Sequence, residues 1–143
     1  MEAQGQGRYS AQQFRDLVKD IPFAMFTTVT ADGALRSRPM VATENAFDGA
    51  LWFFTRTSSD VAQEIAGNRM VNVTYVSSPE DRFVSVSGSA SIVRDVERAG
   101  AMWSPAYNQW FAGGASDPEL SLINVQVTRV EYWDRKAGRM REL

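Results

Sequence analysis

The run FAMFTTVTADGALRSRPMVATENAFDGALWFFTR, residues 23–56, contains three apolar segments separated by two Asp-Gly pairs. Phe23 to Thr30 is rich in aromatic and β-branched residues and closes on Asp32-Gly33, a strong hairpin signal. Leu35 to Ala42 is its partner strand, and Phe47-Asp48-Gly49 turns the chain into Leu51 to Thr55. The run reads as a meander of three antiparallel strands. Arg36 and Arg38 are one residue apart in the second strand, so both guanidinium groups leave the same face, and two positive forks on one face suit a phosphate. The third strand runs into Thr55, Arg56, Thr57, Ser58 and Ser59 before a helical pattern begins. A hydroxyl-rich strand-to-helix turn offers free backbone N–H groups and the positive end of a helix. Both halves of the run therefore carry anion ligands.

The rest of the chain supports a mainly β fold with short helices. Met1 to Gly7 is small, polar and glycine-containing, and residues 1–9 are expected to be a disordered tail before one domain over 10–143. Ser10 is placed as N-cap of a first helix, with Gln13 at the capping-box position and Phe14, Leu17, Val18 and Ile21 on one face. Pro22 ends it. A short helix is expected over Asp60 to Ala66, with Asp60 as N-cap and Gly67 at its C-terminal end. Met70 to Val76 is the next strand, and Ser78-Pro79-Glu80-Asp81 a turn. In Phe83 to Val93, Val84, Val86, Ala90 and Ile92 share one face and Ser85, Ser87, Ser89 and Ser91 the other, so one side is core and the other is a solvated face or a ligand groove. Asp95 to Met102 is helical, and Ile123, Val125 and Val127 alternate through a last long strand ending at Asp134. Six antiparallel strands with helices at the corners make a small closed or partly closed barrel.

Composition narrows the function. A chain of 143 residues with 44% hydrophobic content fits one core, and a net charge of -2 argues against general nucleic-acid binding. With neither cysteine nor histidine, disulfides, thiolate or imidazole metal sites and histidine-based triads are excluded. Any chemistry is borrowed from a cofactor. No basic-then-apolar leader and no long uncharged apolar run is present, so a cytoplasmic protein without membrane contact is expected. The segment from Trp103 to Leu120 is too long and aromatic for a simple connector. Trp103, Tyr107, Trp110 and Phe111 call for burial on the barrel itself, on a second subunit or on a flat aromatic ligand.

Three pieces of sequence resemble a known family: TTVTADGALRSRPM at 27–40, LWFFTRTSSDVAQEIAGNRMVNVTY at 51–75, and the WSPAYNQWFAGG, DPELSLINV and VEYWD segments between 103 and 134. They are similar to the flavin-binding split barrels related to pyridoxamine 5'-phosphate oxidase, and within them to the bacterial general stress protein 26 subgroup. The resemblance implies a six-stranded antiparallel split β-barrel that forms a homodimer, with FMN at the subunit interface. It assigns Arg38 to the flavin phosphate, with Arg36 facing the same way. Ser37, Pro39 and Met40 would lie along the ring or ribityl chain, and Phe54, Thr55 and Ser59 would form a second phosphate-side strand and turn. Trp110 and Trp133 would close the pocket or simply pack in the core or interface. The family's lysine near the start of the short helix is replaced here by Asp60 or Val61, with Arg56 as a substitute cation. Ala112-Gly113-Gly114 stands where the subgroup has a proline. No residue is a convincing acid or base, and no metal ligand set is present. The expectation is an FMN-binding homodimer with weak flavin-dependent redox activity in a stress response. Its alternatives are a non-enzymatic flavin carrier or sensor, and a cofactor-free dimeric scaffold. A dedicated oxidase for pyridoxamine phosphate is not expected.

Overall fold

The computed structural model describes residues 11–42 and 47–143. The first helix, α1 (Ala11–Val18), buries Phe14 and Val18. The N-cap assigned to Ser10 and the tail at 1–9 lie outside the described residues. The helix stops four residues before Pro22, because the chain reverses through Asp20 at φ 62°. Ile21 still reaches the core, but by this turn and not on the helix face.

Strands β1 (Phe23–Val29), β2 (Leu35–Val41), β3 (Ala50–Arg56), β4 (Met70–Ser77), β5 (Arg82–Val93), β6 (Leu120–Asp134) and β7 (Arg139–Glu142) form one antiparallel sheet. Its order is β2-β1-β4-β5-β6-β3, with β7 added beside β6. The sheet curls into a half-barrel, a split β-barrel. The expected six strands are present, and the basic tail adds a short seventh by hairpin.

The β1–β2 hairpin turns where expected. Gly33 N–H donates to Thr30 O (3.0 Å), and Gly33 holds φ 88°, a left-handed value that costs glycine nothing. The expected meander, in contrast, breaks after β2. β3 pairs with β6 along Ala50 to Arg56 and Gln126 to Leu120, not with β2. Alternating apolar residues tell a strand which face is buried but not which neighbour it takes, and the long β6 offers Ile123 and Val125 opposite Phe53 and Leu51. β2 and β3 are thereby the two ends of the sheet.

Inside the curl, Phe26, Phe53, Val73, Tyr75, Val84, Val86, Ile123 and Val125 are fully enclosed. Phe26 and Phe53 meet edge to face at 5.4 Å, and Phe14 of α1 meets Tyr75 at 5.9 Å. Each such side chain contributes about 1.5–3 kcal/mol of burial. Close packing is most exacting at Gly88 on β5, where a register shift brings the backbone against β6. A Cβ there would stand 2.5 Å from Gln126 O and 2.7 Å from Val125 Cγ1.

Helix α2 (Asp60–Gly67) packs Val61, Ala62 and Ile65 inward. Ser59, and not Asp60, is its N-cap: the Ser59 hydroxyl accepts from Ala62 N–H at 3.1 Å. The helix runs through Gly67 to an extended Asn68, without a left-handed C-cap. On the outer face of β3 and β6, α3 (Val96–Met102) and the loop after it bury Ala99, Phe111, Leu120 and Leu122 in a second apolar cluster with Trp103 and Phe54. The aromatic segment is thus largely packed on its own chain. The serine face of β5 is half-buried, with Asn72 donating to Ser85 at 3.0 Å.

Candidate functional site

Between the sheet's two end strands opens a cleft of about 440 Å³, lined by Phe23, Pro39, Met40, Val41, Phe54, Thr55, Arg56, Ser59, Tyr107, Trp110 and Phe111. Its walls are built from three places. The β1–β2 hairpin brings Phe23, Pro39, Met40 and Val41, the end of β3 and the turn into α2 bring Phe54, Thr55, Arg56 and Ser59, and the loop after α3 brings Tyr107, Trp110 and Phe111. Phe54 anchors the third wall, with Tyr107 at 4.6 Å, Trp103 at 5.6 Å and Phe111 at 6.5 Å between ring centres. Trp110 stays exposed at the rim, 6.2 Å from Tyr107.

Seven of the residues singled out in the sequence therefore meet on one cleft: Pro39, Met40, Phe54, Thr55, Arg56, Ser59 and Trp110. At its polar end the Thr55 and Ser59 hydroxyls lie 2.8 Å apart. Arg56 donates to Trp110 O and places its guanidinium carbon 5.2 Å from the Phe111 ring centre, so this cation ties the aromatic wall to β3. Asp117 braces the same loop by accepting from Gly113 N–H (2.9 Å) and Glu119 N–H (2.8 Å). These two bonds hold its carboxyl below the usual aspartate range.

The other four residues do not line this cleft, although Arg38 adjoins Pro39 on β2 and Arg36 reaches Asp60, the neighbour of Ser59. Ser37 lies on the face of β2 opposite to Arg36 and Arg38, the face of Pro39, but is held by a hydrogen bond with Thr27 at 2.6 Å. Trp133 stands on the outer face of β6 opposite Met140. Arg36 and Arg38 do share a face of β2, turned toward α2. There they meet carboxylates. Arg38 Nη2 is 2.6 Å from Glu64 Oε1, Arg36 Nη1 is 3.0 Å from Glu64 Oε2, and Arg36 Nη2 is 3.3 Å from Asp60 Oδ2. Thr28, wholly buried on β1, donates to Glu64 Oε1 at 2.5 Å and accepts from Arg38 Nη1 at 2.8 Å. The Thr28 bond first, and then Arg38 and Arg36, hold the Glu64 carboxyl below its ordinary 4.5. Next to this cluster a second cleft of about 530 Å³ is lined by Arg36, Asp60, Gln63, Glu64, Asn68 and the β1–β2 turn.

Sequence reasoning missed Phe23 and Val41 as cleft residues and Glu64 and Thr28 as partners of the arginines, while it had Tyr107 and Phe111 only among the aromatic residues calling for burial on the barrel, a second subunit or a flat ligand. Phe23 was within reach, since counting back from the hairpin turn pairs it with Val41. For Glu64 a signal existed only in its i, i+4 spacing from Asp60 on one helix face.

Among the described residues that line the cleft there is no lysine, aspartate or glutamate. Among the described residues no cluster of three or more potential metal-ligating side chains occurs, and no helix is long and apolar enough to cross a membrane.

Residues 9–143 match the family model described as pyridoxamine 5'-phosphate oxidase like. The curated protein bli-3 of Neurospora crassa is 30% identical over 120 residues, 77% of this chain, and the chain spans 57% of that relative's length. Among solved structures, general stress protein 26 from Bacillus anthracis superposes with a TM-score of 0.78 over 93% of this chain and 98% of its own, at 20% identity, a likeness of fold. The general stress FMN/FAD binding protein from Xanthomonas citri is 27% identical, with a TM-score of 0.72 over 86% of this chain and 87% of its own.

Proposed function

The chain belongs to the pyridoxamine 5'-phosphate oxidase-like family, and from that premise we propose that it is a flavin-binding homodimer that holds FMN in the cleft between β2 and β3. The observation that carries this reading is the convergence of Pro39, Met40, Phe54, Thr55, Arg56, Ser59 and Trp110 on one opening at the split of the sheet. The volume, about 440 Å³, falls in the range of small-ligand sites, and the walls are apolar and aromatic with hydroxyls at one end. That combination fits a flat conjugated ring with a polar tail. The Xanthomonas citri neighbour, described as FMN/FAD binding, supports the same ligand class.

The chain's own groups bind and orient. Pro39 and Met40 supply one wall for a ring, Phe54, Tyr107 and Phe111 the facing one, and Trp110 a rim. Thr55 and Ser59 offer hydroxyls to the tail, while Arg38 and Arg36, now paired with Glu64 and Asp60 beside the α2 start that Ser59 caps, would balance phosphate charge. A bound flavin would supply the electron-transfer chemistry. With no carboxylate, lysine or histidine among the described residues of the cleft wall, the arrangement favours a carrier or sensor, or a weak flavin-dependent oxidoreductase, in a stress response over a dedicated oxidase.

The homodimer is supported by an uncovered apolar strip on the outer sheet face. Phe23 and Met25 of β1, Val76 of β4, Trp133 of β6 and Met140 of β7 are all exposed there. A second copy would cover them, with an interface above about 1,000 Å².

Reconstitution of the purified apoprotein with FMN, FAD and riboflavin, followed by fluorescence quenching and flavin absorbance, tests the reading. FMN is expected to bind. A chain that takes up none of the three is a scaffold and not a flavoprotein.

A further inference from the structure

We propose that Glu64 is an internal competitor for the phosphate end of the flavin site, which a flavin phosphate must displace from Arg38 and Arg36. The inference rests on the flavin-binding reading and makes Glu64 the residue that sets how strongly the chain prefers FMN to riboflavin.

The charges are the starting point. Arg36 and Arg38 face Asp60 and Glu64, one turn apart on α2, so two guanidinium groups meet two carboxylates and the cluster carries no net charge for a dianion. The two acids differ in standing. The Arg36 and Asp60 side chains are 53% and 71% exposed, and water screens that pair. Glu64 and Arg38 are 12% and 20% exposed, and each Glu64 oxygen faces a different arginine, as two phosphate oxygens would. Displacing Glu64 therefore costs a charge-assisted contact that a phosphate must replace.

A carboxylate beside a binding arginine can instead serve to hold it in place, and the hydrogen bonds decide between these roles. Arg38 Nη1 also donates to Thr28 Oγ1 (2.8 Å), Arg36 O (3.2 Å) and Phe26 O (3.3 Å). These three acceptors lie on β1 and β2 and keep the guanidinium oriented without Glu64. Removing the carboxylate charge frees Arg38 without releasing it. The net charge of the cluster then rises by one, in favour of phosphate.

The test is titration of the wild-type protein and Glu64→Gln with FMN and with riboflavin at low and raised salt. Glu64→Gln keeps the side-chain shape and an oxygen for Thr28. Its ratio of FMN to riboflavin affinity is expected to rise roughly five-fold or more, with a gain that shrinks as salt is added. Glu64→Ala, which removes both oxygens, should shift the ratio in the same direction. If riboflavin binds and the ratio is unchanged or falls in both variants, Glu64 is a positioning residue and the proposal is wrong. If neither flavin binds any of the three proteins, the flavin reading itself fails, and this inference with it.

Discussion

The hydroxyls of Thr55 and Ser59 lie 2.8 Å apart, so the buried end of β3 is bonded to the residue that caps α2. Ser59 also accepts from Ala62 N–H, one of the amides a helix start leaves without an intrahelical partner. One side chain thus fixes both the helix and the hydroxyl end of the cleft. Ser59→Ala should cost about 1 kcal/mol, the usual loss for a removed cap, and lower the melting temperature by about 3–5 °C. Thermal unfolding followed by circular dichroism reads this directly. A change under a degree would mean that the cap contributes nothing.

The arginines of β2 should separate under substitution. Arg38→Ala leaves Glu64 and buried Thr28 without their partner and should destabilise the protein by about 1–3 kcal/mol, while the exposed Arg36→Ala should stay within about 1 kcal/mol. For FMN, Arg38→Ala is expected to cost roughly ten-fold or more in affinity, a larger loss than Arg36→Ala, with riboflavin little affected. Equal losses for the two flavins would remove Arg38 from the phosphate site.

Acid should weaken the fold through Glu64. Its folded carboxyl titrates below the ordinary 4.5, so in that window the unfolded chain binds more protons than the folded one. Stability is then fully present above 4.5 and falls as pH drops through the folded value. Asp32, Asp117 and Asp134 are displaced in the same direction and add to the loss. Denaturant titrations of the apoprotein from pH 6 to pH 3 should show a shallower decline for Glu64→Gln than for the parent. Parallel curves would exclude Glu64 as a contributor.

Gly88→Ala should be among the costliest single changes available. The added methyl would meet Gln126 O at 2.5 Å and Val125 Cγ1 at 2.7 Å, and the backbone carbonyl cannot move without breaking the β5–β6 ladder. An overpacking cost of about 1–3 kcal/mol is expected in urea unfolding. Gly67→Ala, with open space around its Cβ, is the neutral control.

Met25→Glu places a charge in the exposed strip on β1. In a homodimer built on that strip, sedimentation at micromolar concentration should shift from dimer toward monomer, while far-ultraviolet circular dichroism stays unchanged. A variant that sediments like the parent moves the interface elsewhere.

Local pattern was sufficient for much of this protein. Alternation and the two Asp-Gly pairs located β1, β2 and β3, and the one-residue spacing of Arg36 and Arg38 put both on one face. The hydroxyl-rich turn before α2 identified Thr55 and Ser59, since period and turn chemistry are properties of neighbouring residues. The pairing of β3 with β6 was not legible there, because a period of two specifies a face and leaves the partner strand to the curl of the whole sheet. That pairing opens the cleft, by making β2 and β3 the two unpaired ends that face each other. The charge state of the arginines was likewise a tertiary matter. Glu64 stands 26 residues from Arg38 in the chain and reaches it at 2.6 Å only because Val61, Ala62 and Ile65 seat α2 on the core, turning its acidic face toward β2.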